Sequence, residues 1–132
     1  IPYPIIFHLV YDKRIKSVAA YKRPAQDGTS GWVVEEYFET DWLNHKTPAL
    51  PLPVALDIKS LYEQMMKAFI DLPARSGESM MSLVERVRLL KQYQRELRVL
   101  ETKMNSEKQF NRKVDLNAHI RGLNRQIDVL TK

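Results

Sequence analysis

An α+β fold is predicted by three features of the sequence: a small antiparallel sheet backed by a helix, followed by a C-terminal helical hairpin or coiled coil. Up to about residue 55, the stretches PIIFHLVYD, IKSVAAYK and GWVVEEYFET are short, rich in Val, Ile, Tyr, Phe and Trp, and separated by turn-forming residues, which is the composition of strands. Beyond that point apolar residues recur at three- and four-residue steps, as they do along one face of a helix. Between the two regimes, Pro48, Pro51 and Pro53 remove backbone donors and favour extended structure, so the chain crosses there from sheet to helix.

The first two strands are joined by the compact connection DKR, and the second and third by the looser RPAQDGTS, with Pro24, Asp27 and Gly28. Three consecutive antiparallel strands are the simplest result. In the first, Ile6, His8 and Val10 alternate with Ile5, Phe7, Leu9 and Tyr11. Both faces are largely apolar, so this strand is expected to be central or covered on both sides. Because IPYPIIFHLVY opens on Ile1 with no earlier strand to pair against, residues 1–72 are expected to lack an N-terminal part.

Asp57 is the expected N-cap of a helix over 58–71, in which Ile58, Leu61, Tyr62, Met65, Phe69 and Ile70 form the apolar face that lies on the sheet. Pro73 and Gly77 end it. A helical arm follows over 79–132, opening at Ser79 or at Ser82, where SLVE has capping-box spacing. Leu83, Val87, Leu90, Leu97 and Met104 fall on one heptad-like seam, interrupted by Gln94 and Glu101. Leu116, Ile120, Leu123, Ile127 and Leu130 form a second, cleaner seam.

The two seams are out of phase. Extending the later one backwards meets Lys113, Gln109 and Ser106, and NSEKQ at 105–109 offers no apolar side chain over more than a turn. Either the chain reverses there, with Asn105 in a left-handed helix end and Ser106-x-x-Gln109 capping a new start, or one rod of some 50 residues, roughly 75 Å long, continues against a partner chain. The reversal is preferred. Both readings make Phe110 and Val114 packing residues.

Composition narrows the function without naming it. The net charge of +5 is unevenly placed: residues 1–72 hold 8 Lys/Arg against 9 Asp/Glu, and residues 73–132 hold 13 against 7. A basic arm suits a phosphate backbone, and Arg95, Arg98, Arg112 and Arg121 are the candidate contacts to DNA. A solvated surface is the competing reading, because Arg86, Arg88, Arg95, Arg98 and Lys103 are interspersed with Glu85, Glu96 and Glu101 at helical contact spacings. The absence of cysteine removes disulfides and thiolate zinc sites and fits a cytoplasmic protein. No apolar run approaches the roughly 18 residues of a membrane span.

Sites of chemistry are sparse. His8, His45 and His119 lie on separate elements without the converging spacing of a zinc site. Glu35, Glu36, Glu39 and Asp41 in EEYFETD, with Lys59 farther on, resemble the acidic cluster of a metal-dependent nuclease. Strand alternation separates those acids, and a charged sheet edge that repels other strands is the better reading. Tyr21, Trp32 and Tyr37 have rings able to stack on bases, yet such residues more often fill a core face. No catalytic, cofactor-binding or metal-binding residue is assigned.

Four segments, IPYPIIF, GWVVEEYFETDWL, LPVALDIKSLYEQMM and EKQFNRKVDLN with its following IR, together resemble the bacterial family known as domain of unknown function 4391, in order and over essentially the whole chain. The family has no established activity. The resemblance implies a setting beside DNA methyltransferases and helicases of restriction and phage-defence systems. The expectation is a non-enzymatic accessory or assembly component that joins a protein partner or its own copy through Leu116, Ile120, Leu123, Ile127 and Leu130. The alternative is a DNA-binding component.

Overall fold

The sheet grows outward from its tightest turn. In the computed structural model, which describes residues 3–26 and 31–132, strands β1 (Ile6–Tyr11) and β2 (Arg14–Pro24) pair antiparallel, with Tyr11 opposite Arg14. Only Asp12 and Lys13 remain for the loop, and both have positive φ, 43° and 60°. That is the two-residue hairpin turn whose twist matches the flanking strands. β3 (Trp32–Glu39) pairs with the other side of β2, and a two-residue β4 (Leu43–Asn44) continues along β2 at Arg14 and Ile15. Asp27 and Gly28, expected to shape the loop before β3, lie outside the described residues.

The order β1-β2-β3 corrects the expectation for the first strand. β1 is an edge, and Phe7, Leu9, Val10 and Tyr11 are exposed on both of its faces. Apolar character on both faces states what surroundings suit a strand, and nothing among the described residues supplies that cover.

Helix α1 (Ile58–Lys67) begins where the sequence places it: Asp57 accepts a bond from the Ser60 backbone N–H at 2.7 Å and another from the Ser60 hydroxyl at 2.9 Å. It ends sooner than residue 71. From Ala68 to Ile70 each N–H bonds three residues back, to Met65, Met66 and Lys67, and this tighter winding closes the helix. Met66, Ile70 and Leu72 are buried, as are Ala19 and Phe38 from the sheet. One side chain ties helix to sheet directly. The Tyr62 hydroxyl lies 3.0 Å from the Ala20 carbonyl and 3.2 Å from that of Ile5, where β1 and β2 part. Burial holds its phenol above the ordinary value.

Residues 1–80 and 81–132 form two compact units. The second consists of α2 (Met80–Ser106), less its first residue, and α3 (Phe110–Thr131). Ser79 immediately precedes α2, and Ser82 falls within its first turn. The chain reverses between the helices in three residues, as preferred from the phase break. The capping differs from expectation. No left-handed residue is used, since among described non-glycine residues only Asp12 and Lys13 have positive φ. The Ser106 hydroxyl bonds back to the Thr102 and Lys103 carbonyls, Gln109 is the N-cap of α3 without a side-chain cap bond, and Glu107 holds the turn between the helices. Its carboxylate accepts the backbone N–H groups of Lys108 at 2.8 Å and Gln109 at 2.9 Å. The Gln109 bond above all, with that of Lys108 and the charges of Arg112 and Lys113, holds the Glu107 carboxyl below its ordinary value of 4.5, against a smaller opposing effect of desolvation.

Two predictions follow from these contacts. Tyr62→Phe removes one hydroxyl and lowers unfolding free energy by about 1 kcal/mol in urea titration, the typical worth of such a bond; an unchanged midpoint contradicts the tie. A depressed carboxyl pKa gives stability that is present above the unfolded value and lost as pH falls below it. The wild-type arm therefore loses helicity faster than Glu107→Gln as pH falls below 4.5, and parallel acid titrations by circular dichroism contradict the role of the Glu107 carboxylate in the turn.

Candidate association surfaces

Within the hairpin, each helix has one less exposed stripe. On α2, Leu83, Val84 and Val87 are buried, and Leu90, Tyr93, Leu97, Leu100 and Met104 are half-buried. The stripe therefore runs through Tyr93 and Leu100, stepping past Gln94 and Glu101, which stay exposed, and its steps follow the 3.6-residue turn of a straight helix. On α3, Ile120 is buried and Leu116, Leu123, Ile127 and Leu130 are half-buried. All five seam residues lie on this stripe.

The antiparallel return is fixed by a residue that the charge pattern places on the surface. Arg86 is only 5% exposed, and its Nη1 donates to the Leu130 carbonyl at 2.7 Å. Leu130 is in the last turn of α3, where carbonyls lack intrahelical partners and the helix dipole is negative, so a guanidinium satisfies both. The start of α2 therefore meets the end of α3. A signal was available, because at 100° per residue position 86 falls on the same side of α2 as Leu90, Tyr93 and Leu97.

Phe110 and Val114 are not packing residues. They are 77% and 51% exposed, which corrects both readings of the phase break. Helical geometry gives the reason: at 100° per residue they lie about 120° and 160° around α3 from the midline of its stripe. Four apart, they share one face at the reversal, with Lys108, Arg112 and Lys113 nearby in the chain. Arg112 stands 3.9 Å from Glu107.

The candidate DNA contacts are dispersed. Arg95, Arg98, Arg112 and Arg121 are all exposed, and Arg98 bonds back to the Gln94 carbonyl. Arg112 and Arg121 are nine residues apart, half a turn out of phase on α3.

In the first unit two of the acids of EEYFETD, Glu35 and Glu39, pair with basic residues of β2. The register skips Glu35, because Tyr21 pairs with Glu36 and Lys22 with Val34. That bulge lets Glu35 meet Arg23, while Glu39 bonds Lys16 at 2.7 Å. Among the described residues no group of three His, Asp or Glu is placed to hold a metal ion. Tyr21 and Tyr37 face opposite sides of the sheet, since Tyr21 pairs with Glu36 and Tyr37 with Ala20, so the three aromatic candidates do not form one platform.

A cleft of about 630 Å³ lies among β1, β2, the proline-containing segment and α1, lined by groups that include Ile15, Leu43, Pro51, Met65 and Phe69 and by no Asp, Glu, Lys or Arg. His8 Nδ1 and Ser17 Oγ are 2.8 Å apart in its wall, the distance of a base and nucleophile. They are also directly opposed in the β1–β2 register, and the Ser17 N–H is already bonded to Thr40 Oγ1 at 3.0 Å. The pair is a cross-strand contact without an oxyanion donor at that N–H. His45 donates its backbone N–H to the Lys13 carbonyl, 2.9 Å away, and its Nδ1 lies 3.0 Å from the same oxygen. His119 is exposed. No described helix is long and apolar enough to cross a membrane.

Comparison with known proteins returns a family of unknown function. The model of the domain of unknown function DUF4391 matches residues 1–127, whereas no curated protein and no solved structure matches the chain. With the match covering nearly its whole length, the chain belongs to the DUF4391 family.

Proposed function

We propose that the chain is a non-enzymatic accessory or assembly component whose helical arm joins a protein partner. The observation behind this reading is the exposure of Phe110 and Val114 at the reversal of the hairpin. Several apolar side chains of the arm are exposed, Val99 and Val129 among them; Phe110 is the most exposed of these, and it forms with Val114 an apolar pair on one face of α3, bordered by Lys113. An apolar pocket with an acidic rim on the partner complements that arrangement: ring burial supplies affinity and the rim charges orient the approach. The proposed setting, a bacterial DNA restriction or phage-defence system, rests on the family resemblance, and its methyltransferases and helicases are the partners to try first. Duplex binding through Arg95, Arg98, Arg112 and Arg121 is the weaker reading because these side chains do not share one face.

The test is co-purification of the tagged chain with a methyltransferase and a helicase of the proposed restriction system, for the wild type and for Phe110→Asp with Val114→Asp. Both positions are exposed, so the variant is expected to keep its melting temperature while recovery of the partner falls at least about 10-fold, the effect of losing one anchoring contact. Equal recovery with the variant overturns the arm-tip reading. Wild-type mass gain on a DNA duplex that vanishes in high salt promotes the DNA-binding alternative.

A further inference from the structure

The cleft of about 630 Å³ among β1, β2, the proline-containing segment and α1 has the volume of a small-molecule site, roughly 300–1,000 Å³. One wall is the sheet, where Ile15 and Ser17 share a face of β2 by strand alternation. The other is α1, through Met65 and Phe69, with the segment that carries Pro48, Pro51 and Pro53.

Polar side chains in the wall are bonded to the protein itself. His8 Nδ1 and Ser17 Oγ are 2.8 Å apart. Thr40 Oγ1 accepts the Ser17 N–H at 3.0 Å, and the Lys13 carbonyl lies 3.0 Å from His45 Nδ1. Asn44 Oδ1 accepts the Lys46 N–H at 2.9 Å, and Gln64 Nε2 donates to the Val54 carbonyl at 3.2 Å. An apolar occupant therefore takes no hydrogen-bond partner away from these groups.

We propose that this cleft is a binding site for a neutral, largely apolar small organic molecule. The site lies within the first unit and does not rest on the arm tip. Charge selects the occupant. Although 28% of the chain is charged, no Asp, Glu, Lys or Arg lines the cleft. An ion entering it gives up water without meeting a counter-charge, which is costly, whereas burial of an apolar body is itself favourable. Polypeptide suits the wall less. Each residue of an entering segment brings a backbone N–H and C=O that must be satisfied, and the three prolines have no N–H to offer.

The experiment is fluorescence titration of the chain with two dyes that share one ring skeleton, neutral N-phenylnaphthylamine and anionic anilinonaphthalene sulfonate. The neutral dye is expected to bind saturably and at least about 10-fold more tightly than the sulfonate. Adsorption elsewhere gives the opposite order, because the net charge of +5 attracts the anion. Ala68 lines the cleft at an exposed position with right-handed helical backbone at the end of α1, so Ala68→Trp fills it from a site that tolerates a larger side chain. That variant is expected to keep the melting temperature and to lose at least about 10-fold in affinity for the neutral dye. Amide hydrogen exchange on the wild-type chain is expected to slow in residues 43–52 and 64–69 when the neutral dye is added, and it needs no variant. No saturable binding of the neutral dye overturns the proposal, as does equal or tighter binding of the sulfonate. Unchanged affinity in a folded Ala68→Trp, or slowed exchange confined to other residues, places the dye elsewhere and overturns it too.

Discussion

The bond from the Arg86 guanidinium to the Leu130 carbonyl decides which apolar surfaces of the arm face inward and which are left outside. A buried cation is costly unless its hydrogen bonds and charge are answered. The Leu130 carbonyl, at the open carbonyl end of α3, supplies one of those partners, and with that end held beside Arg86 the two helices run antiparallel. Every outward property of the arm follows from this. Ile120 is buried and the rest of its stripe half-buried, Phe110 and Val114 remain outside, and the arginines spread around two helices instead of lining one.

In the sheet unit the corresponding constraint is the position of β2, which pairs with β1, β3 and β4. Its small residues Ala19 and Ala20 are buried, so neighbouring layers approach closely, and its Ala20 carbonyl receives the Tyr62 hydroxyl of α1. A central strand satisfied on both sides leaves two edges to be managed. Glutamates and a bulge guard one, and along the other the strand Ile6–Tyr11 carries no charged residue.

Much of this architecture was legible in the residues, because local physics determines it. Asp57 caps α1 through its own side chain, DKR closes a hairpin because two residues with positive φ suffice, and the phase break between the Leu83 and Leu116 series marks a reversal. What escaped reading depended on direction and neighbours. The alternation in IFHLVY shows that both faces suit an apolar environment, and it is silent about which strand or layer provides it. The four-residue spacing of Phe110 and Val114 shows a shared face; the angle of that face from the α3 stripe was available by counting and points away. Arg86 is a similar case, a charge whose helical position lies on the apolar side. Among the acids of EEYFETD, simple alternation fails at Glu35 because one skipped residue in the register changes where it points.

The self-closed hairpin is tested most directly by a distance within one chain. Because the sequence has no cysteine, Glu85→Cys and Asp128→Cys, both at exposed positions, accept spin labels without background, and dilution into unlabelled protein isolates the intrachain separation. The Arg86–Leu130 contact predicts labels within roughly 25 Å of each other, allowing for the label arms and a helix spacing of about 10 Å. A separation near 65 Å, the length of about 43 residues of continuous helix at 1.5 Å each, would contradict it and return the Leu116–Leu130 stripe to a partner chain.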